Sequence, residues 1–336
     1  MHARISLPIL ASAPRASTTP PRSVRLSLTD RCDLACVYCR PHRHDGYLEE
    51  KLDDDAFQTM ARGLVRAGVR RVRLTGGEPL LHPAVVARVA FLSSLGLDDL
   101  AMTTNATRLA ALAAPLRAAG LRRLTISLDS LDSARFSRLT RGGRLADVLA
   151  GIDAAGAAGF AELKLNAVVL RGENDGELEE LARFSWARGL VPRFIEVMKI
   201  GEGAVIGDEA LVTVAEMRAR LGALLEDDVA VAEPDRGPAR YVRARHDRAC
   251  RVGFISGTSD TYCAGCDRLR VSAEGMLRPC LATNDGVTAR HASEARDEAA
   301  VVSAVAEAWA KKPDGATWKG CTEESASHVS MRAIGG

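Results

Sequence analysis

The sequence predicts an α/β fold, and two patterns carry that prediction. From Ser23 onward, strand-like and helix-like segments alternate at a pitch of about thirty residues, which is typical of a parallel sheet or barrel. Polar residues also share one side of several strands, as in Val24-Arg25-Leu26-Ser27-Leu28-Thr29. Because the apolar side must pack under the helices, the polar side faces a common interior. An eight-strand barrel fills its interior with apolar side chains, so a polar interior indicates a wider or incomplete barrel that holds a polar ligand.

The expected strands and helices follow this alternation. Asp53 to Asp55 place negative charge and a cap at one helix start, and glycines follow the helices where a left-handed residue is expected. The strands are expected at residues 24–29, 70–75, 99–104, 122–128, 161–169 and 191–197. The helices are expected at residues 53–67, 83–95, 107–119, 145–158 and 176–188, with two more at about 213–225 and 293–312.

The chain divides into four predicted regions. Residues 1–22 lack acidic residues and are interrupted by prolines, so we interpret them as a disordered leader rather than an organellar transit peptide. Residues 23–200 form the predicted barrel, and residues 201–250 a connector with modest structure. Residues 251–336 form a C-terminal region that carries its own cysteine set and ends in two glycines.

Composition narrows the partners and the compartment. The 336 residues carry a net charge of +2, so the global charge indicates neither a nucleic acid nor another polyanion as a partner. No apolar run approaches the length of a membrane span. Most of the eight cysteines stand in two tight triplets rather than in a disulfide framework. They are expected to be thiolates available to metal in a reducing cytoplasm.

Three thiols stand in one short loop, at Cys32, Cys36 and Cys39. A tetrahedral zinc site or an ordinary 4Fe–4S cluster takes four protein ligands, and the next cysteine, Cys250, is far along the chain. Three ligands on a cubane would leave one iron open to an external molecule, which indicates chemistry rather than scaffolding. The loop alone leaves open a zinc site completed by His42 or His44.

A second triplet stands near the C-terminus, at Cys263, Cys266 and Cys280. These cysteines could ligate a second cluster with an open iron, or a structural zinc with Cys250 or Cys321 as the fourth ligand. Between them, Arg268 and Arg270 share one side of an extended segment.

Basic side chains recur on the inward side of four predicted strands, at Arg25, Arg73, Lys164 and Arg193. Their shared orientation favours a converging anion site that could match a triphosphate. The alternative is that these cations lie on edge strands in contact with solvent.

Taken together, the motifs resemble one family. The first cysteine loop, with Tyr38 before its last cysteine, is similar to the signature of the radical S-adenosylmethionine (SAM) superfamily. Thr75-Gly76-Gly77-Glu78-Pro79 resembles that superfamily's Gly-Gly-Glu-Pro segment. The second triplet around Asp267-Arg268-Leu269-Arg270 and the terminal Gly335-Gly336 narrow the resemblance to the GTP 3′,8-cyclase family of molybdenum cofactor biosynthesis. That family implies a partial (βα)6 radical SAM barrel with a C-terminal extension that carries a second Fe–S cluster.

The resemblance implies two [4Fe–4S] clusters and SAM as cofactors, and a role for each candidate residue. The first cluster would be held by Cys32, Cys36 and Cys39, and the second by Cys263, Cys266 and Cys280. The implied SAM contacts are Tyr38, Gly76, Gly77, Glu78, Ser127 and Met198. The implied GTP contacts are Arg25, Arg71, Arg73, Thr103, Lys164, Arg193, Arg268 and Arg270, of which the last two are also the candidate catalytic residues. Without the resemblance, Ser127 would be an ordinary strand hydroxyl and Met198 an ordinary core residue.

The family also implies a reaction and its partners. A 5′-deoxyadenosyl radical from SAM removes hydrogen from the ribose C3′ of GTP, C3′ then attacks guanine C8, and an electron and a proton complete the product. An electron-donor protein of the flavodoxin or ferredoxin type and a downstream cyclic pyranopterin monophosphate synthase are implied, and the protein is either a monomer or a homodimer. Gly335-Gly336 would reach into the active site, whereas an isolated Gly-Gly would be a flexible terminus.

Two rival functions and two departures from the family pattern accompany this prediction. A radical SAM peptide-modifying enzyme would need a longer C-terminal cysteine series, and a zinc-stabilised binding protein would not be an enzyme. The departures are the absence of basic residues in Leu80-Leu81-His82-Pro83 and of an aromatic residue in Ser330-Met331-Arg332-Ala333-Ile334. They put the affinity for substrate in doubt, but not the reaction.

Overall fold

The computed structural model of the chain describes residues 20–40, 47–48, 51–198, 203, 206–227, 231–232, 237–260, 262–263, 266–313 and 331. Several predictions fall outside these residues and are not tested by them. They concern most of the 1–22 leader, His42, His44, Cys321 and the Gly335-Gly336 tail.

The secondary structure alternates strands and helices through the first two thirds of the chain. The strands are β1 (Ser23–Ser27), β2 (Arg71–Thr75), β3 (Asp99–Thr104), β4 (Arg123–Ser127), β5 (Glu162–Val169), β6 (Val191–Glu196), β7 (Val231–Ala232), β8 (Arg240–Arg243), β9 (Arg251–Ile255), β10 (Arg268–Val271), β11 (Met276–Arg278) and β12 (Val287–Thr288). The helices are α1 (Asp54–Arg66), α2 (Val85–Ser93), α3 (Leu109–Ala118), α4 (Ser133–Thr140), α5 (Leu145–Ala157), α6 (Leu178–Ala187), α7 (Val214–Arg220), α8 (Arg290–Glu294) and α9 (Glu298–Ala310).

Within the described residues, all these strands belong to one sheet, in the order β12-β11-β10-β1-β2-β3-β4-β5-β6-β9-β8-β7. Strands β1 to β6 pair in chain order and in parallel, which requires the intervening helical crossovers. The C-terminal region adds parallel strands at both edges, β10 beside β1 and β9 beside β6. The predicted α/β partial barrel with a C-terminal extension is therefore confirmed.

The alternation of side chains along the strands also follows the prediction. On β1, Val24 and Leu26 are fully buried under the helices, whereas Arg25 lies on the other side. On β2, Leu74 is fully buried and Arg73 lies on the interior side. The predicted polar interior is therefore present.

Helix α9 fastens the C-terminal region to the barrel by packing on α1. Gly63 makes this approach possible, because a Cβ atom at this position would lie 2.5 Å from Cγ1 of Val301. Beside this contact, Arg62 Nε donates to Glu298 Oε1 at 2.8 Å.

Three local predictions were wrong. Helix α4 was not predicted; Asp132 caps it by accepting a hydrogen bond from the Arg135 amide at 2.7 Å. The helix predicted at 293–312 is divided into α8 and α9, because Arg296 adopts a left-handed conformation (φ 60°) and Asp297 caps a new helix. The helix predicted at 213–225 is shorter, since α7 ends at Arg220.

The bounds of the four predicted regions stay predictions. Strand β8 lies inside the predicted 201–250 connector, yet it pairs with β9 in the same sheet as the barrel strands. Among the helices of the described residues, none has both the length and the apolar character needed to cross a bilayer.

Candidate active site

A cavity of about 280 Å³ lies on the polar side of the sheet, and both cysteine regions contribute to its wall. Most of the predicted site residues line it: Arg25, Cys32, Cys36, Tyr38, Cys39, Arg71, Arg73, Gly76, Gly77, Glu78, Thr103, Ser127, Arg193, Met198, Arg268 and Arg270. Four predicted residues are not part of this lining: Lys164, Cys263, Cys266 and Cys280.

The first cysteine loop is a tight turn held against α4. The Cys36 carbonyl accepts hydrogen bonds from the amides of Cys39 and Arg40, both at 2.9 Å. Two further amides donate to carbonyls at the end of α4, Ala35 to Thr140 at 3.1 Å and Val37 to Leu139 at 3.0 Å. Helix α4, which the sequence did not predict, therefore supports the first cysteine loop.

Gly76 and Gly77 bring a second backbone segment against this loop. The Gly77 amide donates to the Thr29 carbonyl at 2.7 Å, and a Cβ atom at Gly77 would lie 2.3 Å from the Arg31 carbonyl oxygen. At Gly76 the φ angle is 153°, and a Cβ atom would lie 2.4 Å from the Thr29 carbonyl oxygen. The structure thus explains both glycines by contact with the cysteine loop, and their contact with SAM stays a prediction.

Glu78 is buried at the junction of these segments. Its carboxylate accepts from Thr104 Oγ1 at 2.7 Å and from the Asn105 amide at 2.7 Å, and burial raises its pKa to about 7. Asn105 Nδ2 in turn donates to Asp33 Oδ1 at 2.8 Å and lies 3.9 Å from Cys32 Sγ. Sequence reasoning missed Asn105, although its position at the carboxyl end of β3 is one where ligand contacts collect in parallel sheets.

Asp129 is a second carboxylate at this end of the cavity, and it was also missed as a site residue. Tyr38 Oη donates to Asp129 Oδ2 at 2.6 Å, and the Val168 amide donates to Oδ1 at 2.8 Å. Burial raises the pKa of Asp129 to about 6. The sequence signal that could have identified Asp129 was its inward position, two residues beyond the end of β4.

The first cysteine set has the chemistry of a cluster site. Burial raises the pKa of the Cys32 and Cys36 thiols, and the neighbouring Glu78 and Asp129 raise it further. Thiolates at these positions therefore need a strong positive charge, which iron supplies. In the described part of the chain, no three His, Cys, Asp or Glu side chains converge on a point where one metal ion could sit. The thiolates of a cubane bind different iron atoms and do not need to converge in this way.

Arginines form a row across three neighbouring strands in the cavity wall. The strand registers place Arg25 on β1 beside Arg270 on β10 and beside Arg73 on β2. Burial lowers the pKa of Arg25, and the charges of Arg270 and Arg268 lower it further. Such a cluster of positive charges in the wall of a cavity is typical of a site that binds an anion.

The row of arginines extends to Arg193 on β6 through the hydroxyl group of Thr125 on β4. Thr125 Oγ1 accepts from Arg73 Nη1 at 3.0 Å and from Arg193 Nη2 at 3.1 Å, so the two guanidinium groups converge. Burial and the charge of Arg193 lower the pKa of Arg73 to about 10. The alternative of solvent-facing edge strands does not hold, because β1, β2 and β6 are interior strands of the sheet.

Two predicted cations are paired with acids that were not predicted as site residues. Lys164 Nζ lies 3.0 Å from Glu162 Oε2, and burial together with the charge of Arg193 lowers the pKa of Lys164 to about 8. Arg71 forms an ion pair with Asp267, at the start of β10. Arg71 lines the cavity, whereas Lys164 is not part of the lining.

The second cysteine set lies at one end of the β10–β11 hairpin. The Cys266 amide donates to the Cys263 carbonyl at 3.0 Å, and the register that pairs Arg270 with Arg278 brings Cys280 opposite Arg268. The Ala282 amide donates to Cys280 Sγ at 3.4 Å. Hydrogen-bond donors to sulfur and three thiols on adjoining segments suit a thiolate-bound cluster.

Cations surround this second set. Burial would raise the pKa of the Cys266 thiol, but the charges of Arg268 and Lys312 outweigh it and lower the pKa to about 6. Arg268 also lies over the ring of Tyr262, with 4.9 Å from the guanidinium carbon to the ring centroid. Tyr262 Oη is 3.8 Å from Met198 Sδ, so it links a predicted SAM residue to a predicted GTP residue. Sequence reasoning missed Tyr262.

Comparison with known proteins first identifies the class of protein to which the chain belongs. Residues 26–185 match the family described as the Radical SAM superfamily, and residues 191–318 match Molybdenum Cofactor Synthesis C. Streptococcus suis SuiB bound to its precursor peptide SuiA is similar in structure, with a TM-score of 0.59 and 15% identity. The similarity covers 77% of this chain and 59% of the SuiB chain, and it shows the fold alone. The fold and the cysteine loop define a radical SAM enzyme, a class that uses a 4Fe–4S cluster and SAM.

Curated relatives then give the family. GTP 3′,8-cyclase 1 of Pseudomonas aeruginosa is 47% identical over 269 residues, which are 77% of this chain and 79% of that protein. GTP 3′,8-cyclase of Pseudomonas entomophila is 42% identical over 301 residues, or 86% of this chain and 88% of that protein. The chain belongs to the GTP 3′,8-cyclase family.

Proposed function

We propose that the chain converts GTP to (8S)-3′,8-cyclo-7,8-dihydroguanosine 5′-triphosphate, the first step of molybdenum cofactor biosynthesis. The observation that carries this proposal is a single cavity lined both by the first cysteine loop and by the arginine row. A radical source and a polyanionic nucleotide would therefore occupy the same cavity. The reaction breaks the ribose C3′–H bond of GTP and joins C3′ to guanine C8.

The arginine row binds the triphosphate in this proposal. Arg25, Arg73 and Arg270 lie side by side, and their mutual repulsion is relieved when an anion enters. Thr125 orients Arg73 and Arg193 before the ligand arrives, so less side-chain ordering is left for the binding step. Lys164 and Arg71 add positive charge although each is paired with an acid, and Thr103 lines the wall beside Arg73.

The opposite end of the cavity holds SAM. Cys32, Cys36 and Cys39 would hold the first 4Fe–4S cluster, which with SAM supplies the hydrogen-abstracting 5′-deoxyadenosyl radical. The remaining SAM contacts are those carried over from the family: Tyr38, Gly76, Gly77, Glu78, Ser127 and Met198. Glu78 and Asp129 place carboxylates at this end, which suits the positive sulfonium and ammonium groups of SAM.

The second cysteine set completes the proposal. Cys263, Cys266 and Cys280 hold a second 4Fe–4S cluster, and Arg268 and Arg270 present GTP to it. Positioning is the main contribution of the chain, since it holds C3′ close to the radical source. An electron donor of the flavodoxin or ferredoxin type, a downstream cyclic pyranopterin monophosphate synthase and a cytoplasmic location belong to the same proposal.

Anaerobic incubation of the reconstituted protein with SAM, GTP and a reductant tests the proposal. We expect 5′-deoxyadenosine and the cyclic nucleotide as products, and about eight irons with eight sulfides per chain, four of each for a cubane. Zinc in place of iron, with no SAM cleavage, would identify a zinc-stabilised binding protein instead. SAM cleavage with no change in GTP would leave the radical SAM class intact and refute the substrate.

A further inference from the structure

Lys312 is a buried ammonium group directly after α9. Only 5% of the residue is exposed. Its Nζ donates to the Arg268 carbonyl at 2.8 Å and to the Pro279 carbonyl at 2.7 Å. It also lies 5.0 Å from the centroid of the Trp309 ring. Two main-chain oxygens and an aromatic face therefore hold the cation in one place.

All three of these contacts are with uncharged groups. Among the residues that the structure describes, the partners of Lys312 are the two carbonyls and the ring. Removing an ammonium group from water is unfavourable, and neutral carbonyls offset only part of the lost hydration. A buried lysine of this kind is expected beside a group that carries negative charge.

The two carbonyls that Lys312 contacts belong to the segments that carry the second cysteine set, which would supply this negative charge. Arg268 follows Cys266 by two residues, and Pro279 directly precedes Cys280. The β10–β11 register brings these two segments to the same end of the hairpin. Lys312 thus cross-links the two chain segments that carry Cys266 and Cys280, and it is close enough to Cys266 for its charge to act on that side chain.

We propose that Lys312 is a positioning residue for the second cysteine set: it clamps the two ligand-bearing segments together, and its ammonium is the buried counter-charge of the thiolate-bound cluster. The inference rests on the second 4Fe–4S cluster of the proposed function. Reduction adds one electron to a cluster, so a nearby positive charge stabilises the reduced form and raises the reduction potential.

The neighbouring lysine provides a matched control. The Lys311 side chain is 44% exposed, and it pairs with Glu307 on the same helix at 2.9 Å. Lys311→Met removes the same charge from the same stretch of chain, but from a position in solvent, where its effect on a buried cluster is screened.

The experiment uses the full chain, reconstituted anaerobically. Iron per chain and the midpoint potentials of both clusters are measured by EPR-monitored titration for Lys312→Gln, Lys312→Met and Lys311→Met. The first cluster is recognised by the change in its spectrum when SAM is added. Gln keeps donors for the carbonyls but carries no charge, whereas Met removes both.

We expect the potential of the second cluster to become more negative in Lys312→Gln, with iron retained and the first cluster unchanged. In Lys312→Met we expect the same shift together with partial loss of the second cluster. Lys311→Met should match the wild type. Full iron and an unchanged potential in both Lys312 variants would overturn the inference. Loss of both clusters with a lowered melting temperature in both variants would also overturn it, since Lys312 would then serve folding.

Failure of the proposed function is recognised separately. A wild-type chain that binds only about four irons, all of them responsive to SAM, lacks the second cluster altogether. That result would be known before any Lys312 variant is compared, and it would overturn both the second cluster and the role of Lys312.

Discussion

The two cysteine sets differ in the charges that surround them. Buried carboxylates face the first set, Glu78 near Cys32 and Asp129 near Cys36, and they add to the effect of burial in raising the thiol pKa values. Cations face the second set, where Arg268 and Lys312 overcome burial and lower the pKa of Cys266 to about 6. Both sets contain three cysteines, so the number of cysteines does not reveal this difference in surrounding charge.

This difference matches the proposed function, in which the first set accompanies SAM and the second set accompanies GTP. A site lined by carboxylates stabilises a cation, and SAM carries a sulfonium and an ammonium group. A site lined by guanidinium groups stabilises an anion, and GTP carries a triphosphate. The same cavity is therefore polarised from one end to the other, which would keep the two substrates in a fixed relative orientation.

The largest expected effects come from removing one ligand from each set. Cys36→Ala should abolish reductive cleavage of SAM and leave the second cluster assembled. Cys266→Ala should abolish cyclisation of GTP and leave some uncoupled cleavage of SAM. Iron content and 5′-deoxyadenosine yield distinguish the two variants. A normal rate of cyclic nucleotide formation by Cys266→Ala would break the assignment of the second set to the substrate.

Arg268→Lys and Arg270→Lys sharpen the comparison at the cationic end. Lysine keeps the charge but loses the planar fork that can grip a phosphate or a base edge with two donors. The loss of one charge-assisted hydrogen bond costs ~1.5–3 kcal/mol, so we expect cyclisation to fall roughly tenfold to a hundredfold. SAM cleavage and iron content should change little. Lost iron would show instead that these arginines are structural.

Arg73→Ala and Lys164→Ala compare a residue that lines the cavity with one that does not. Arg73→Ala should weaken GTP binding by roughly tenfold or more, because one charge-assisted contact is lost, and should leave SAM binding nearly unchanged. Lys164→Ala should have the smaller effect, since Lys164 is paired with Glu162 outside the cavity lining. Equilibrium binding of GTP and of SAM to each variant measures these effects.

Arg70 serves as the control for these variants, because it directly precedes β2 and its side chain is exposed. Arg70→Ala should leave both affinities unchanged. Equal loss of GTP and SAM affinity in Arg73→Ala would contradict a polarised cavity.

The smallest expected effect is a pH dependence of GTP binding. The pKa of Lys164 is lowered from 10.5 to about 8, so its amine is charged at about pH 7 and largely neutral at about pH 9. GTP affinity should therefore decrease as the pH rises across this interval. In Lys164→Arg the charge persists, and the decrease should become smaller. Comparing the wild type with Lys164→Arg removes the contribution from ionisation of GTP itself. If GTP affinity falls equally with pH in both proteins, Lys164 is not the titrating group.

Spacing and periodicity within the sequence determined the alternation of strands and helices, the first cysteine loop and the side of the strands on which the arginines lie. The three-residue and two-residue gaps between Cys32, Cys36 and Cys39 confine their thiols to one loop whatever the rest of the chain does. The alternation of Arg and Val or Leu along β1 and β2 places the arginines on one side, because successive side chains on a strand point in opposite directions. Both are consequences of covalent geometry.

Only the tertiary structure decided which of these residues meet, and what charge each of them faces. Asp129 hydrogen-bonds Tyr38 across 91 residues of sequence, and Lys312 reaches the Arg268 carbonyl across 44. Lys164 lies on the inward side that the alternation predicts, yet it is paired with Glu162 and is not part of the cavity lining. Such contacts depend on how whole elements pack, and no local pattern in the chain encodes a distance between two residues that packing alone brings together.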